Sequence, residues 1–251
     1  MKQFLIRLVL VMLPLSAWAA GGGGVALDHM EVDIHDQPSM QRGLQLYTNY
    51  CMGCHALGYS RYERVADDLG IPHALYEEHL IFSDAKIGEL MVNAMPQTEA
   101  KVWFGTAPPD LSLVARLRGT DWLYTYLRAF YRDDKRPLGV NNAVFPDVGM
   151  PHVLAELQGL CAEKPTFGDM EIDPLTGQVM KASGCESYVS TGSMEPAEYD
   201  RAIRDLVNFL AYVGEPSRLQ AERIAPFVLI FLVILFVFAY LLNREYWKDV
   251  H

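Results

Sequence analysis

Only four cysteines occur in 251 residues, split between a close pair, Cys51 and Cys54, and a distant one, Cys161 and Cys185. So few exclude a small disulfide-built scaffold, and the lack of a second close pair removes the paired-ligand spacing of a structural zinc site. Basic residues are scarce as well, 21 Lys and Arg against 31 Asp and Glu, for a net charge of −10. A chain of that sign repels nucleic acid, so no nucleic-acid partner is expected. No segment alternates convincingly as a strand, and there is no internal repeat or long low-complexity stretch. The sequence therefore reads as mainly α, long enough for one well-cored domain of roughly 200 residues with terminal extras.

Long apolar runs are confined to the two ends. Near the N-terminus, Lys2 and Arg7 flank Leu8 to Leu15, and Ala17-Trp18-Ala19 supplies the small residues of a signal-peptidase site. That apolar stretch is too short to cross a hydrocarbon layer of about 30 Å. Residues 1–19 are read as a signal peptide and Ala20 as the start of the mature chain. At the other end, Ala225 to Leu242 carries no charge and is long enough, as a helix, to cover the hydrocarbon core. Arg223 stands at one edge, and Arg244, Tyr246, Trp247 and Lys248 stand at the other, suited to a cytoplasmic interface. The expected organisation is a head at 20–217, a linker and membrane helix at 218–243 with its span at 225–242, and a tail at 244–251.

Residues 20–224 hold all but four of the Lys and Arg and all but two of the Asp and Glu, a formal charge of −12. Glu63, Asp67, Asp68, Glu77 and Glu78 form one acidic stretch, and Glu163, Asp169, Glu171 and Asp173 form another. Both serve either solubility or the attraction of a basic partner. Pro38 and Ser39 open a predicted helix, with Ser39 as its cap, that buries Met40, Leu44 and Tyr47 on one face. A second helix is predicted over Trp122 to Tyr131, capped by Thr120 or Asp121. The clearest one starts at Pro196, repeats Tyr199, Ile203, Leu206, Leu210 and Val213 at helical spacing, and closes at Gly214 and Pro216.

Cys51-Met52-Gly53-Cys54-His55 is the C-x-x-C-H pattern of c-type haem attachment. One turn of chain presents two thiols to the vinyl groups of one porphyrin, and the adjacent imidazole falls beneath the iron. A thioredoxin-like redox pair would need a βαβ setting, which is lacking. The secretion leader agrees independently, because haem is joined to such motifs outside the cytoplasm. A sixth ligand distinguishes an electron carrier from a haem that binds small molecules, and methionine closes the site and raises the potential. Met150, within Val148-Gly149-Met150-Pro151, is the best candidate, and Met95, followed by Pro96, is next. His152 is a rival ligand, better read as a neighbour. His29, His35, His73, His79 and His251 converge on nothing. Cys161 and Cys185 remain as an even pair in an oxidising compartment. Their disulfide would close a loop of about 25 residues, worth roughly 3 kcal/mol on the chain-entropy model.

Taken together, Cys51 to His55, Pro108-Pro109-Asp110-Leu111-Ser112 with Arg116 and Arg118, Asn141-Asn142-Ala143-Val144-Phe145-Pro146 leading to Met150-Pro151, and the single C-terminal anchor resemble cytochrome c1 in order and spacing. The resemblance spans nearly the whole mature chain. It implies one covalent haem c, His55 and Met150 as axial ligands, Arg116 near a haem propionate, and a carbonyl of the Pro108-Pro109 region orienting His55. It also implies a place beside cytochrome b and the Rieske iron-sulfur protein in a dimeric quinol:cytochrome c reductase, delivering electrons to a c-type cytochrome acceptor. This subunit would make no substrate bond of its own. The short leader points to a bacterial inner membrane, with the head in the periplasm. Two departures stand out: His152 directly follows Pro151 where the family commonly has a longer proline-containing run, and the Cys161 to Cys185 segment differs from mitochondrial members. Two other readings remain at this point, a free-standing anchored electron carrier and a haem enzyme or gas sensor with an open iron site.

Overall fold

The computed structural model describes residues 25–168, 171–172, 179–181 and 184–248. The leader, Gly21 to Gly24, Asp169, Asp173 and the end of the tail lie outside the described residues. Helix α1 (Gln37–Leu46) continues through a wider π turn, Tyr47–Cys51. Strand β1 (Leu57–Arg61), helices α2 (Tyr62–Asp68) and α3 (His73–Leu80), strand β2 (Leu90–Met91) and helix α4 (Gln97–Phe104) follow. Next come α5 (Val114–Arg118), α6 (Thr120–Leu127), β3 (Phe130–Arg132), β4 (Val140–Asn142), α7 (Ala155–Gln158) and β5 (Gly159–Cys161). The chain ends with β6 (Glu171–Ile172), β7 (Val179–Lys181), β8 (Tyr188–Thr191), α8 (Pro196–Gly214) and α9 (Arg218–Tyr246).

The centre is the crossing of α1 with α8. Tyr199, Ile203, Leu206, Leu210 and Val213 are all buried on α8, as their spacing requires, and they join Met40 and Leu44 of α1 and Tyr47 of the π turn in one apolar cluster. Fully burying each such side chain is worth about 1.5–3 kcal/mol, so this seam is a principal support of the head. Gly43 lets the helices touch: a Cβ there would collide with the Asp205 carbonyl and with Cβ of Phe209. A polar clasp lies beside the seam. Arg42 Nε donates to Asp205 Oδ2 at 2.6 Å, and Ser39 Oγ donates to Asp205 Oδ1 at 2.7 Å.

That clasp explains one correction. Ser39 is not the cap of α1; Asp36 is, its carboxylate accepting the Ser39 N–H at 3.0 Å, while the Ser39 hydroxyl turns inward. A second correction concerns the helix expected over Trp122 to Tyr131, which stops at Leu127. Phe130–Arg132 is instead a strand, paired with β4 and β5 in the four-stranded order β4-β3-β5-β8. Strands of two to five residues are too short for alternation to show in sequence.

Helix α9 covers 29 residues with a mean hydropathy of 3.0 in its apolar window and none of that window buried. It is the one helix among the described residues long and apolar enough to cross a membrane.

Candidate functional site

The end of α1 delivers the C-x-x-C-H segment. Its π turn leads into a tight turn in which Cys54 and His55 both donate backbone N–H groups to the Cys51 carbonyl, at 3.1 and 2.8 Å. Tyr47, buried in the seam, donates its hydroxyl to the His55 carbonyl at 2.6 Å and so ties the motif to the core. Cys51 is buried and Cys54 half-buried, and neither is in a disulfide. Burial, helped by the Cys54 sulfur, pushes the Cys51 thiol up to about 12. A thiol so reluctant to ionise is unsuited to thiol-disulfide exchange.

The segment Pro108 to Ser112 fixes the imidazole. Asp110 spans two backbone donors, Gly58 N–H and Ser112 N–H, each at 2.7 Å, and Leu111 N–H reaches the Ala56 carbonyl at 2.9 Å. With the segment pinned in this way, the Pro109 carbonyl accepts from His55 Nδ1 at 2.7 Å. A carbonyl only accepts, so Nδ1 carries the proton and Nε2 keeps its lone pair free for a metal. Burial holds the His55 pKa below its ordinary value, opposed in part by that carbonyl.

Cys51, Cys54, His55 and Met150 all line one cavity of about 360 Å³. The rest of its wall is largely apolar, with Phe104, Leu111, Val114, Trp122, Leu206 and Leu210 among the contributors. Two thiols, a free imidazole nitrogen and a thioether converging on an apolar space suit an iron porphyrin. Met150 Sδ accepts from the Tyr126 hydroxyl at 3.3 Å, and the side chain packs against Phe130, Val140 and Val148. Met95 is absent from the wall. His152 is buried, its Nε2 3.0 Å from the Gly159 carbonyl, and burial takes its pKa down to about 4.

The two arginines divide unexpectedly. Arg116 points away, its guanidinium 4.0 Å from a Glu215 oxygen and its stem against Gly214. Arg118 lines the cavity instead, lying 5.0 Å over the Trp122 ring and 5.8 Å from that of Phe145. Successive residues turn by about 100° on a helix, so positions two apart face nearly opposite ways.

The asparagine pair before Met150, which the sequence marked only as part of a resemblance, has a structural role. Asn142 Oδ1 accepts from Val144 and Phe145 N–H at 3.0 and 3.1 Å, while its Nδ2 donates to the Tyr126 carbonyl at 2.8 Å. Asn141 Oδ1 accepts the Asp147 N–H at 2.9 Å. Beyond Met150, Cys161 and Cys185 are joined in a disulfide with Cα atoms 5.7 Å apart, linking β5 to the approach to β8.

The sequence model of the Cytochrome C1 family matches residues 29–250. The chain is 47% identical over 251 residues to a cytochrome c1 of Allochromatium vinosum, covering all of both chains. It is 39% identical over 249 residues to a protein of Nitrosomonas europaea named ammonia monooxygenase gamma subunit, covering 98% of this chain and 99% of that one. A cytochrome c1 of Rhodobacter capsulatus is 23% identical over 269 residues, with 90% and 92% covered. A chain from a solved structure entitled "Hyperthermophilic respiratory Complex III" aligns over 100% of this chain and 98% of its own at 14% identity and a TM-score of 0.42, too distant to bear on fold or partners. With a family match over residues 29–250 and a cytochrome c1 matched end to end at 47% identity, this chain belongs to the cytochrome c1 family.

Proposed function

We propose that this chain is the membrane-anchored haem subunit of a quinol:cytochrome c reductase, receiving one electron from a Rieske iron-sulfur protein and passing it to a c-type cytochrome acceptor. The observation that carries the reading is the convergence of Cys51, Cys54, His55 and Met150 on one apolar cavity. In it, Cys51 and Cys54 would hold one haem c by thioethers, and His55 Nε2 and Met150 Sδ would ligate its iron. When bound, the haem supplies a ferric/ferrous couple. The Pro109 carbonyl keeps the His55 ring in one tautomer and one orientation, which keeps reorganisation between oxidation states small. Apolar walls exclude water and favour the less charged, reduced form. Arg118, on the cavity wall, would pair with a haem carboxylate in the role the resemblance gave to Arg116, a reading supported by the cation–π contact with Trp122 that holds its guanidinium.

Cytochrome b is the expected neighbour of α9 in the membrane. A cytochrome b/c1 of Bradyrhizobium diazoefficiens supports this, since by its name both parts share one chain, and the match covers 86% of this chain and 34% of that one. The complex is dimeric by family resemblance, with its head on the periplasmic side of a bacterial inner membrane. Isolation in mild detergent tests the whole reading. The expected preparation holds cytochrome b and an iron-sulfur protein in fixed ratio, with one covalent haem on this chain and a sulfur-to-iron charge-transfer band in the far red. Carbon monoxide binding to the reduced native protein would instead establish an open-site haem protein, and purification without cytochrome b would establish a free-standing carrier.

A further inference from the structure

The Met150 loop has no regular structure of its own, and its last residue is only partly buried. Its N-terminal side is held by the two asparagines and by the close approach of Gly149, where a Cβ would lie 3.0 Å from the Phe104 carbonyl. On its C-terminal side stands His152. The ring is 9% exposed and lies parallel to Phe130, with centroids 4.8 Å apart and planes within 5°. Phe130 meets Tyr126 edge-on at 5.5 Å, and Tyr126 donates to Met150 Sδ. The chain from Met150 through Tyr126 and Phe130 thus returns to His152, two residues from where it began.

We propose that His152 is a positioning residue that holds the Met150 thioether in the cavity. The inference rests on Met150 being an iron ligand. Two properties are required of the side chain at this place: a flat ring to lie on Phe130, and an N–H to reach the Gly159 carbonyl at 3.0 Å. Among compact side chains, imidazole supplies both. The anchor is firm, because Gly159 opens β5, which sits between β3 and β8 and is cross-linked through Cys161 to Cys185. Pro151 transmits the constraint, since its ring fixes φ near −65° and leaves few ways for Met150 to turn relative to His152.

The test compares His152→Phe, which keeps the stacking ring, His152→Gln, which keeps a donor, and His152→Ala, which keeps neither, beside Met150→Leu. All are measured in the detergent-solubilised full chain with its haem attached. Met150→Leu should lose the far-red charge-transfer band, bind carbon monoxide when reduced, and show a lowered potential. The three His152 variants should fall between native and Met150→Leu in all three readouts, with Ala the most affected. Their covalent haem content should stay native, because Cys51 and Cys54 are untouched. If Met150→Leu behaves this way while Phe and Gln keep the native potential, band and exclusion of carbon monoxide, His152 is only a packing residue. A fall in melting temperature alone, without these spectral changes, would say the same. If Met150→Leu itself is unchanged, the ligand assignment fails, and the positioning role with it.

Discussion

Replacing Arg128 by methionine isolates the strongest buried charge arrangement in the head. Its side chain is 8% exposed and bonds Asp28 and Asp200, both at 2.7 Å, while its guanidinium lies 4.4 Å from the Tyr124 ring centroid. The two partners are not equal. Asp200 is 41% exposed, so its share is screened and worth under about 1 kcal/mol. Asp28 is 13% exposed, and breaking a nearly buried ion pair from one side costs about 3–5 kcal/mol. Asp28 still accepts the Gly168 N–H at 2.9 Å, which favours the lower end of that range. Losing the ring contact adds roughly 1 kcal/mol. Arg128→Met should therefore destabilise the head by about 4 kcal/mol, read as a lower urea midpoint in far-UV circular dichroism. Adding Asp28→Asn removes the negative charge that Arg128 had balanced, so the double variant should be more stable than Arg128→Met alone. A single-variant loss below about 1 kcal/mol, or a double variant no better than the single, would refute the reasoning.

Gly43→Ala should cost about 2 kcal/mol or more, because the new methyl meets backbone rather than a movable side chain; a native melting temperature would show that α1 and α8 separate easily. His73 bonds Asp67 at 2.8 Å, and chiefly through that bond its pKa lies above the ordinary histidine value. The contact therefore adds stability at low pH that is lost as pH rises through the raised pKa, and proton NMR should find the His73 titration returning towards 6.5 in Asp67→Asn.

The grouping of Cys51, Cys54 and His55 was legible because all three fall within one five-residue turn, and Met150 is the methionine that lines the same cavity among the described residues. Helix α8 was equally plain, since one long element with one buried face writes its period into the sequence. Arg116 and Arg118 could not be told apart by type, because what separates them is the direction each takes around a short helix. Ser39 looked like a cap since caps and buried hydroxyls use the same residues, and the partner that decides its role, Asp205, is 166 positions away. His152 was read as a mere neighbour because its partners, Phe130 and Gly159, lie on separate strands.

Between Gly214, which ends α8, and Arg218, which starts α9, there are three residues, and they are folded into a turn in which Arg218 N–H reaches the Glu215 carbonyl at 3.0 Å. Leu210 and Leu206, in the cavity wall, precede that joint by four and eight residues, about 6 and 12 Å along the helix. His35, at the entrance to α1, adds a second hold by bonding Glu222 on α9 at 2.9 Å. With α9 in a bilayer, the cavity is leashed within a short reach of the lipid surface. A donor or acceptor that skims the membrane then meets it by searching an area rather than a volume, and lengthening the joint would surrender that advantage without altering a single residue of the site.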